Sequence, residues 1–252
     1  MPADLSGRTA LVTGGSRGIG RAAALGFARA GADVVVHYHT QREAAEAAAR
    51  EIRRLGRRAE TVQADVTRAT EVERMMTGVG EFAGPTGLHV LFNNAGVYPP
   101  GSLESVGVEE WDRVMAINAR GPFLCTRYAL PLLRRAADAR VINIGTVLSF
   151  RGTPGMLHYI ASKSAVIGLT HALARELAPH GITVNCVVPS MVRTETAERD
   201  YAGDEVEAVA EQAIARYQEP EDLVGLLVFL ASRASGFTTG QTILADGGRV
   251  LL

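Results

Sequence analysis

The chain has 252 residues, of which 47% are hydrophobic and 21% are charged, and its formal net charge at pH 7 is −1. A chain of this length can bury a sizeable core as one large α/β domain or two small ones. The balanced charge and the lack of a basic tract argue against a nucleic-acid partner and against attraction to an anionic membrane.

The two cysteines, Cys125 and Cys186, stand in apolar surroundings. This predicts buried thiols in a reducing compartment rather than a disulfide. The opening residues, MPADLSGRT, lack the charged and apolar pattern of a secretory signal. The longest apolar run, around residues 223–231, is too short to cross a bilayer. We therefore expect a cytoplasmic protein without a membrane partner.

Short runs rich in Val, Ile and Thr alternate with helix-forming stretches along the chain. Most of these runs lack a polar/apolar alternation, as expected for strands that are covered on both faces. This order predicts an α/β fold with a parallel sheet, right-handed crossovers and helices on both faces. No linker or repeat divides the chain, so residues 1–252 are predicted to form a single doubly wound domain. The runs are TALVTG, ADVVVHY, AETVQADV, LHVLFNNAG, ARVINIGTV, ITVNCVVPS and QTILADGG.

The first run leads directly into TGGSRGIG at residues 13–20, and a helical pattern follows at once. Glycines there allow a tight turn, and the helix N-terminus offers free N–H groups to a phosphate. Glycine spacing alone would fit a mere tight turn. The strand before it and the helix after it predict a dinucleotide-binding turn.

The end of the second run is where the 2′ position of a dinucleotide is expected to be recognised. An acid there would bind the ribose diol of NAD, but the sequence has HYHT at residues 37–40. Arg17 in the glycine turn and Arg42 nearby offer cations to a 2′-phosphate. The pattern therefore favours NADP(H), with NAD(H) possible.

The third and fourth runs end on polar or small residues, where an open parallel sheet builds its ligand crevice. Asp65, followed by Val66, is a candidate acceptor for the adenine amino group, although a capping or turn role explains it equally well. NNAG at residues 93–96 is either a turn or a space for a flat nucleotide. Asn118 lies in a helical stretch where Asn has poor propensity, so it bonds locally or bridges to the site.

After the fifth run, Tyr159 and Lys163 are spaced four apart, as a catalytic pair on one helix face would be. Two hydroxyls are available upstream as their partner, Thr146 and Ser149. Thr146 stands at the carboxyl end of the strand, whereas Ser149 is already in the connecting loop.

Residues 191–216 then form a long, acid-rich insertion, predicted as a substrate loop or lid, with a solvated helical excursion as the alternative.

Together these motifs resemble the short-chain dehydrogenase/reductase family. The resemblance runs essentially end to end and rests on TGGSRGIG, NNAG, Asn118, the Tyr159–Lys163 pair and the closing TGQTILADGG. It implies a Rossmann-like domain with about seven parallel strands, hydride transfer between a nicotinamide and an alcohol or carbonyl carbon, and a homotetramer or homodimer. It implies no metal.

The resemblance also implies individual roles. Tyr159 is expected to act as general acid/base, with its pKa lowered by the Lys163 ammonium, which also binds the ribose. Asn118 is expected to hold a water that relays protons to Lys163. The family's Ser, about thirteen positions before the Tyr, corresponds to Thr146, and Ser149 remains the alternative. Ser190 replaces a glycine that the family favours.

The predicted catalytic residues are Asn118, Thr146, Tyr159 and Lys163. The predicted substrate residues are Tyr98, Thr146, Leu148 and Met191, with Met156 and Leu157 as further pocket candidates. The predicted cofactor-binding residues are Gly14, Ser16, Arg17, Gly18, Ile19, Gly20, His37, Tyr38, His39, Asp65, Val66, Asn93, Ala95, Gly96, Tyr159, Lys163, Pro189, Ser190, Val192 and Thr194.

The pocket candidates are mainly apolar and point to an uncharged, mostly apolar ketone or alcohol as the small-molecule substrate. The chain resembles 3-oxoacyl-carrier-protein reductases overall. However, Ala137 and His180 stand where those enzymes carry basic residues for an acidic carrier, and residues 198–211 are acid-rich. The sequence therefore leaves several functions open. One is a ketone reductase or secondary-alcohol dehydrogenase, and another is a carrier-protein reductase. A non-catalytic NADP-sensing protein is the alternative from another class.

Overall fold

In the computed structural model, residues 4–200 and 204–251 are described. They contain one seven-stranded sheet of order β3-β2-β1-β4-β5-β6-β7, in which every neighbouring pair is parallel. The predicted fold class, a doubly wound α/β domain, is confirmed. The strands are β1 (Thr9–Val12), β2 (Asp33–Tyr38), β3 (Ala59–Gln63), β4 (Val90–Asn93), β5 (Arg140–Ile144), β6 (Thr183–Pro189) and β7 (Thr242–Ala245).

Helices cover both faces of this sheet. One buried cluster packs α1, α2 and α10 against one face, and a second packs α3, α5 and α7 against the other. Because both faces are covered, β1, β4, β5 and β6 are buried throughout, which explains their continuous apolar runs. The helices are α1 (Gly18–Arg29), α2 (Arg42–Arg54), α3 (Ala69–Ala83), α4 (Val108–Met115), α5 (Gly121–Arg135), α6 (Leu148–Arg151), α7 (Leu157–Leu177), α8 (Glu195–Asp200), α9 (Asp204–Ala210) and α10 (Glu221–Ala231).

The strand order reverses between β1 and β4, because the chain adds β2 and β3 on one side and β4 to β7 on the other. In doubly wound sheets a crevice opens at this point, outside the carboxyl ends of the strands. The glycine turn, NNAG and Thr146 all follow strands at this edge. The topology therefore brings the predicted motifs together.

Two local features differ from a simple helix–strand alternation. Asn118 lies in a π-helical segment, Ala116–Arg120, inserted between α4 and α5 rather than in a continuous α-helix. Such segments are frequent at functional sites. Residues 191–216 contain α8 and α9, and the part of this predicted loop at 201–203 lies outside the described residues.

Candidate active site

A cleft of about 1220 Å³ runs along the carboxyl edge of the sheet. The predicted site residues line it, with the exception of Asn93 and Asn118. Ser149 and Leu157, offered as alternatives, are not among its lining residues in the described part of the chain. The predicted residues that line it are Gly14, Ser16, Arg17, Gly18, Ile19, Gly20, His37, Tyr38, His39, Asp65, Val66, Ala95, Gly96, Tyr98, Thr146, Leu148, Met156, Tyr159, Lys163, Pro189, Ser190, Met191, Val192 and Thr194.

The glycine turn at one end of the cleft is held by neighbouring strands. Gly14 has φ +63°, and a Cβ there would lie 3.0 Å from the Cα of Ala95. Both the backbone conformation and the close contact therefore require glycine at this position. Asn94 donates from Nδ2 to the carbonyls of Thr13, at 2.9 Å, and of Gly14, at 3.1 Å. The turn is therefore held by hydrogen bonds within the protein.

His37 lines the cleft and also holds the glycine turn. Its Nδ1 accepts from the N–H of Gly14 at 3.0 Å, and its Nε2 lies 3.0 Å from the carbonyl of Ala64. This pairing makes Nε2 the donor and Nδ1 the acceptor. Burial lowers the pKa of His37 to about 4, so the ring is neutral. His37 thus braces the glycine turn and supplies no cation.

The start of α1 fits a phosphate. Its N-cap, Arg17, makes no side-chain capping hydrogen bond, and the first turn holds no acidic residue. Backbone N–H groups in the first turn of a helix have no partner within the helix and favour an anion. At the end of β2, Tyr38, His39, Thr40 and Gln41 line the cleft, and none of them is acidic. These residues fit a dinucleotide that carries a 2′-phosphate.

Asp65 forms a turn with Thr67, whose N–H and hydroxyl donate to Oδ1 at 2.9 and 2.7 Å. Burial would raise the pKa of Asp65, but these hydrogen bonds lower it, so the group is ionised at neutral pH. The turn role that the sequence offered is therefore present. The adenine contact remains a prediction.

Asn93 was predicted to bind the cofactor, but its side chain is buried beneath the cleft and does not line it. Its Nδ2 donates to Asn143 Oδ1 at 2.9 Å and to Thr126 Oγ1 at 3.2 Å. The register that pairs Asn93 with Asn143 on β5 directs it there. Asn94, the next residue, is the one that reaches the cleft.

Thr146 and Tyr159 both line the cleft, and the Thr146 hydroxyl is close enough to the phenol to lower its pKa. Thr146 lies two residues after the end of β5, and Tyr159 lies in the first turn of α7. The hydroxyl of Ser149 is buried and has no hydrogen-bond partner within residues 4–200 and 204–251. Thr146 rather than Ser149 therefore lines the cleft beside Tyr159, and its catalytic role remains a prediction.

Lys163 lies one turn after Tyr159 and is buried, donating from Nζ to the carbonyl of Ile144 at 3.0 Å. Burial lowers the pKa of Lys163 to about 8. Burial raises the pKa of Tyr159 to about 12, against a smaller lowering by the nearby Thr146 hydroxyl. Lys163 is not among the groups that shift this pKa, so the expected lowering by its ammonium is not seen. The phenol is protonated at neutral pH.

Asn118 acts behind the cleft. Its Nδ2 donates to the carbonyl of Val97 at 2.7 Å and to Ser162 Oγ at 3.0 Å, and its Oδ1 accepts from the N–H of Val97 at 2.9 Å. It therefore joins the loop after β4 to the helix of Tyr159 and Lys163. These hydrogen bonds are not local to its own helix, and the water relay to Lys163 remains a prediction.

Comparison with known proteins agrees with this geometry. The family model described as enoyl-(acyl carrier protein) reductase matches residues 14–249. A 3-oxoacyl-[acyl-carrier-protein] reductase from Synechocystis sp. is 40% identical over 98% of this chain and 98% of its own. The chain belongs to the short-chain dehydrogenase/reductase family. It is an NAD(P)-dependent oxidoreductase that acts on carbonyl or CH–OH groups.

Solved members of the family have the same fold. A dehydrogenase/reductase from Sinorhizobium meliloti superposes with a TM-score of 0.93 at 40% identity, covering 99% of this chain and 98% of that one. A short-chain dehydrogenase from Burkholderia cenocepacia, in complex with NADP, superposes with a TM-score of 0.92 at 37% identity, covering 97% and 98%.

Ser190, where the family resemblance leads one to expect glycine, is part of a buried amide network. Its hydroxyl donates to Gln212 Oε1 at 2.7 Å, and its N–H donates to Gln218 Oε1 at 2.9 Å. Gln218 Nε2 donates in turn to the carbonyl of Ala245 at 2.6 Å. The serine thus fixes the loop after β6 to the residues that follow α9.

Charged side chains at the other end of the cleft were missed by sequence reasoning. Arg113, Arg151 and Arg249 line it, and Glu211 contacts two of them. Arg151 follows β5 and Arg249 follows β7, and both strands end at the edge where the cleft lies. The positions of these arginines after strands could have predicted that they lie near the cleft. Their pairing with Glu211 could not be predicted from the sequence.

Among the described residues, no helix combines the length and the apolar character needed to cross a membrane. Within the same ranges, no three His, Cys, Asp or Glu side chains cluster as metal ligands would.

Proposed function

We propose that the protein is an NADP(H)-preferring carbonyl reductase that interconverts a ketone and a secondary alcohol, with Tyr159 as the proton donor in reduction. The observation that carries this proposal is that Thr146, Tyr159 and Lys163 line the same cleft as the glycine turn. Two neighbouring hydroxyls in this cleft can both bind one carbonyl oxygen.

Individual residues of the chain have distinct roles in this reaction. Thr146 and Tyr159 donate hydrogen bonds to the ketone oxygen, which orients the carbonyl and stabilises the negative charge that develops on it. Bound NADPH supplies the hydride. Tyr159 is protonated at neutral pH, so it can give its proton to that oxygen.

Lys163 and Asn118 position this pair. Lys163 is buried one turn below Tyr159, where its ammonium is available to the cofactor's ribose hydroxyls, as in the family. Asn118 holds the Tyr159 helix through Ser162, whose own hydroxyl donates to the Tyr159 carbonyl at 2.7 Å. Removing either residue would shift the reacting groups rather than delete them.

The preference for NADP(H) is supported by the phosphate-binding end of the cleft. Arg17 lines it beside the non-acidic residues after β2, which suits a 2′-phosphate better than a ribose diol. The related Burkholderia enzyme was solved with NADP. Arg42, the other cation considered, does not line the cleft in the described structure.

The proposal is tested by steady-state reduction of a β-ketoester and an aryl ketone with NADPH and with NADH. We expect kcat/KM to be higher with NADPH, and Arg17→Ala to reduce that preference by roughly tenfold because it removes one charged contact to the phosphate. Binding of NADPH without turnover of any ketone would instead favour the NADP-sensing protein.

Reduction of 3-oxoacyl groups on acyl carrier protein is the second candidate, favoured by relatives of that name at 40% identity. It predicts a much higher kcat/KM for acetoacetyl-carrier protein than for the same acyl group on N-acetylcysteamine. Equal values for the two thioesters would favour a small-molecule substrate.

We further propose that residues 191–216 form the substrate lid. Residues of α8 and α9, including Glu195, Ala197 and Ala208, line the cleft. Cleavage at a protease site introduced in residues 201–203 should raise the KM for ketone while leaving NADPH binding intact. Loss of NADPH binding alone would contradict the assignment.

A homotetramer or homodimer is proposed from the exposed aromatic side chains Trp111 and Phe123, on α4 and α5. Light scattering after gel filtration would measure the mass directly.

We also propose a cytoplasmic location, because both cysteines are free and buried, which suits a reducing compartment.

A further inference from the structure

Two arginines line the cleft and share one carboxylate. Arg249 contacts Glu211 Oε2 through Nη2 at 2.7 Å and through Nε at 2.9 Å, and Arg151 Nη2 binds Glu211 Oε1. The side chain of Arg249 is only 9% exposed and that of Arg151 is 28% exposed. The cluster is therefore part of the cleft wall rather than a solvated surface pair.

The backbone directs both arginines to this place. Arg151 ends α6, the one-turn helix that begins two residues after Thr146. Arg249 follows Gly247 and Gly248, which have φ values of +68° and +74°, and a Cβ on Gly248 would come within 2.9 Å of Ala213. Asp246 fixes this turn by accepting from the N–H groups of Gly248 and Val250 at 3.0 and 2.8 Å.

The cluster carries an uncompensated positive charge. Burial would raise the pKa of Glu211, but hydrogen bonds from Arg249 and Arg151 lower it, so the carboxylate is ionised and cancels one of two guanidinium charges. The excess is local to the Arg151–Glu211–Arg249 cluster, since four other charged side chains line the cleft away from the cofactor-binding residues and one of these, Arg113, is already paired with Glu110 at 2.7 Å. The four are Arg113, Glu195, Arg199 and Glu207.

We propose that Arg151 and Arg249 bind a carboxylate of the substrate, so that the preferred substrates are oxo acids, or the corresponding hydroxy acids. This inference rests on the proposed ketone reduction and names its substrate class. A partly buried guanidinium pair with one counterion gains most from a second carboxylate, because each can offer further N–H donors in a fixed geometry. The apolar pocket residues would then contact the carbon chain between the two polar ends.

The test compares each acid with its own methyl ester, which has nearly the same shape but no charge. 4-Oxopentanoate, 5-oxohexanoate and 6-oxoheptanoate, with their esters, cover a range of spacings between carbonyl and carboxylate. With NADPH, at least one acid should have a kcat/KM about tenfold or more above its ester. Equal values across the series would overturn the inference, whereas failure to reduce any ketone would instead contradict the proposed function.

Variants show which residues carry the preference. Arg249→Met should remove the acid/ester preference, and Arg249→Lys should restore part of it. Arg216→Met is the matched control, because Arg216 is paired with Asp222 at 2.6 Å but lies outside the cleft lining in the described structure. A preference that survives Arg249→Met would overturn the assignment.

Glu211→Gln distinguishes an anion site from a simple structural bridge. Removing the carboxylate frees both guanidinium groups, so the acid/ester ratio should rise. If the cluster only held the loop in place, both substrates would lose activity equally. Acetoacetyl-coenzyme A and acetoacetyl-N-acetylcysteamine form a second pair: a charge preference seen only there would assign the arginines to a phosphate and overturn the carboxylate.

Discussion

The two ends of the cleft are built in different ways. The cofactor end is made of backbone groups held by neutral side chains, such as the His37–Gly14 and Asn94–Gly14 hydrogen bonds. The substrate end is made of long charged side chains joined across the chain, with Arg151 and Glu211 separated by 60 positions and Glu211 and Arg249 by 38. The first arrangement suits a cofactor that many enzymes share. The second leaves room for a substrate preference of this chain's own.

The largest effect is expected where the two ends meet. Tyr159→Phe should lower kcat for ketone reduction by roughly 10³-fold, because it removes the proton donor. NADPH affinity, measured by calorimetry, should stay within about threefold. A variant that loses NADPH binding as well would show that Tyr159 belongs to the cofactor end.

Thr146→Ala should lower kcat by roughly 10²-fold, since one hydrogen bond to the developing oxyanion is lost. Thr146→Ser keeps the hydroxyl and should retain most of the activity. Ser149→Ala is the matched control and should behave as wild type, because its hydroxyl has no partner in the described structure. The assignment is wrong if Ser149→Ala is impaired and Thr146→Ala is not.

The buried neutral ring of His37 at the cofactor end predicts that the folded protein loses stability at acidic pH. The folded pKa of His37 is about 4, below the ordinary 6.5, so the unfolded chain takes up a proton that the folded one does not. The contribution of His37 to stability is complete above pH 6.5 and is lost as the pH falls towards 4. This single group should cost about 2 kcal/mol of unfolding free energy between pH 7 and pH 5.

Urea denaturation at the two pH values measures this effect. His37→Gln should be less stable at pH 7 but should lose less on acidification than wild type does. His171→Gln, a change at an exposed histidine, is the control. Identical pH dependence in wild type and His37→Gln would contradict the role of a buried neutral ring.

The smallest effect is expected at the buried network beside the substrate end. Ser190→Ala leaves Gln212 Oε1 without its donor and should cost about 1–2 kcal/mol of unfolding free energy. Ser149→Ala, which breaks no hydrogen bond in the described structure, should change it by less than about 0.5 kcal/mol. Equal costs for the two serines would mean that the network does not stabilise the loop.

This difference between the two ends also explains what the sequence could predict. The strands are continuous apolar runs, and the carboxyl edge follows from their parallel order, so Thr146, Tyr159 and Lys163 could be placed before the structure. Asn93 was misplaced because strand register, not proximity in sequence, decides which Asn faces the cleft. The role of His37 in holding the glycine turn could not be predicted, because its burial and its two backbone partners depend on neighbouring strands. The pairing of Arg151, Glu211 and Arg249 depends on long-range packing that no local pattern reports.

The most direct test of the account is deuterium transfer from NADPH deuterated at nicotinamide C4 to a ketone. Proton NMR of the product alcohol should show deuterium at the carbinol carbon with wild type, at a rate reduced roughly 10³-fold by Tyr159→Phe. NADPH binding without deuterated alcohol from any ketone or oxo acid tried, or an undiminished rate in Tyr159→Phe, would contradict it.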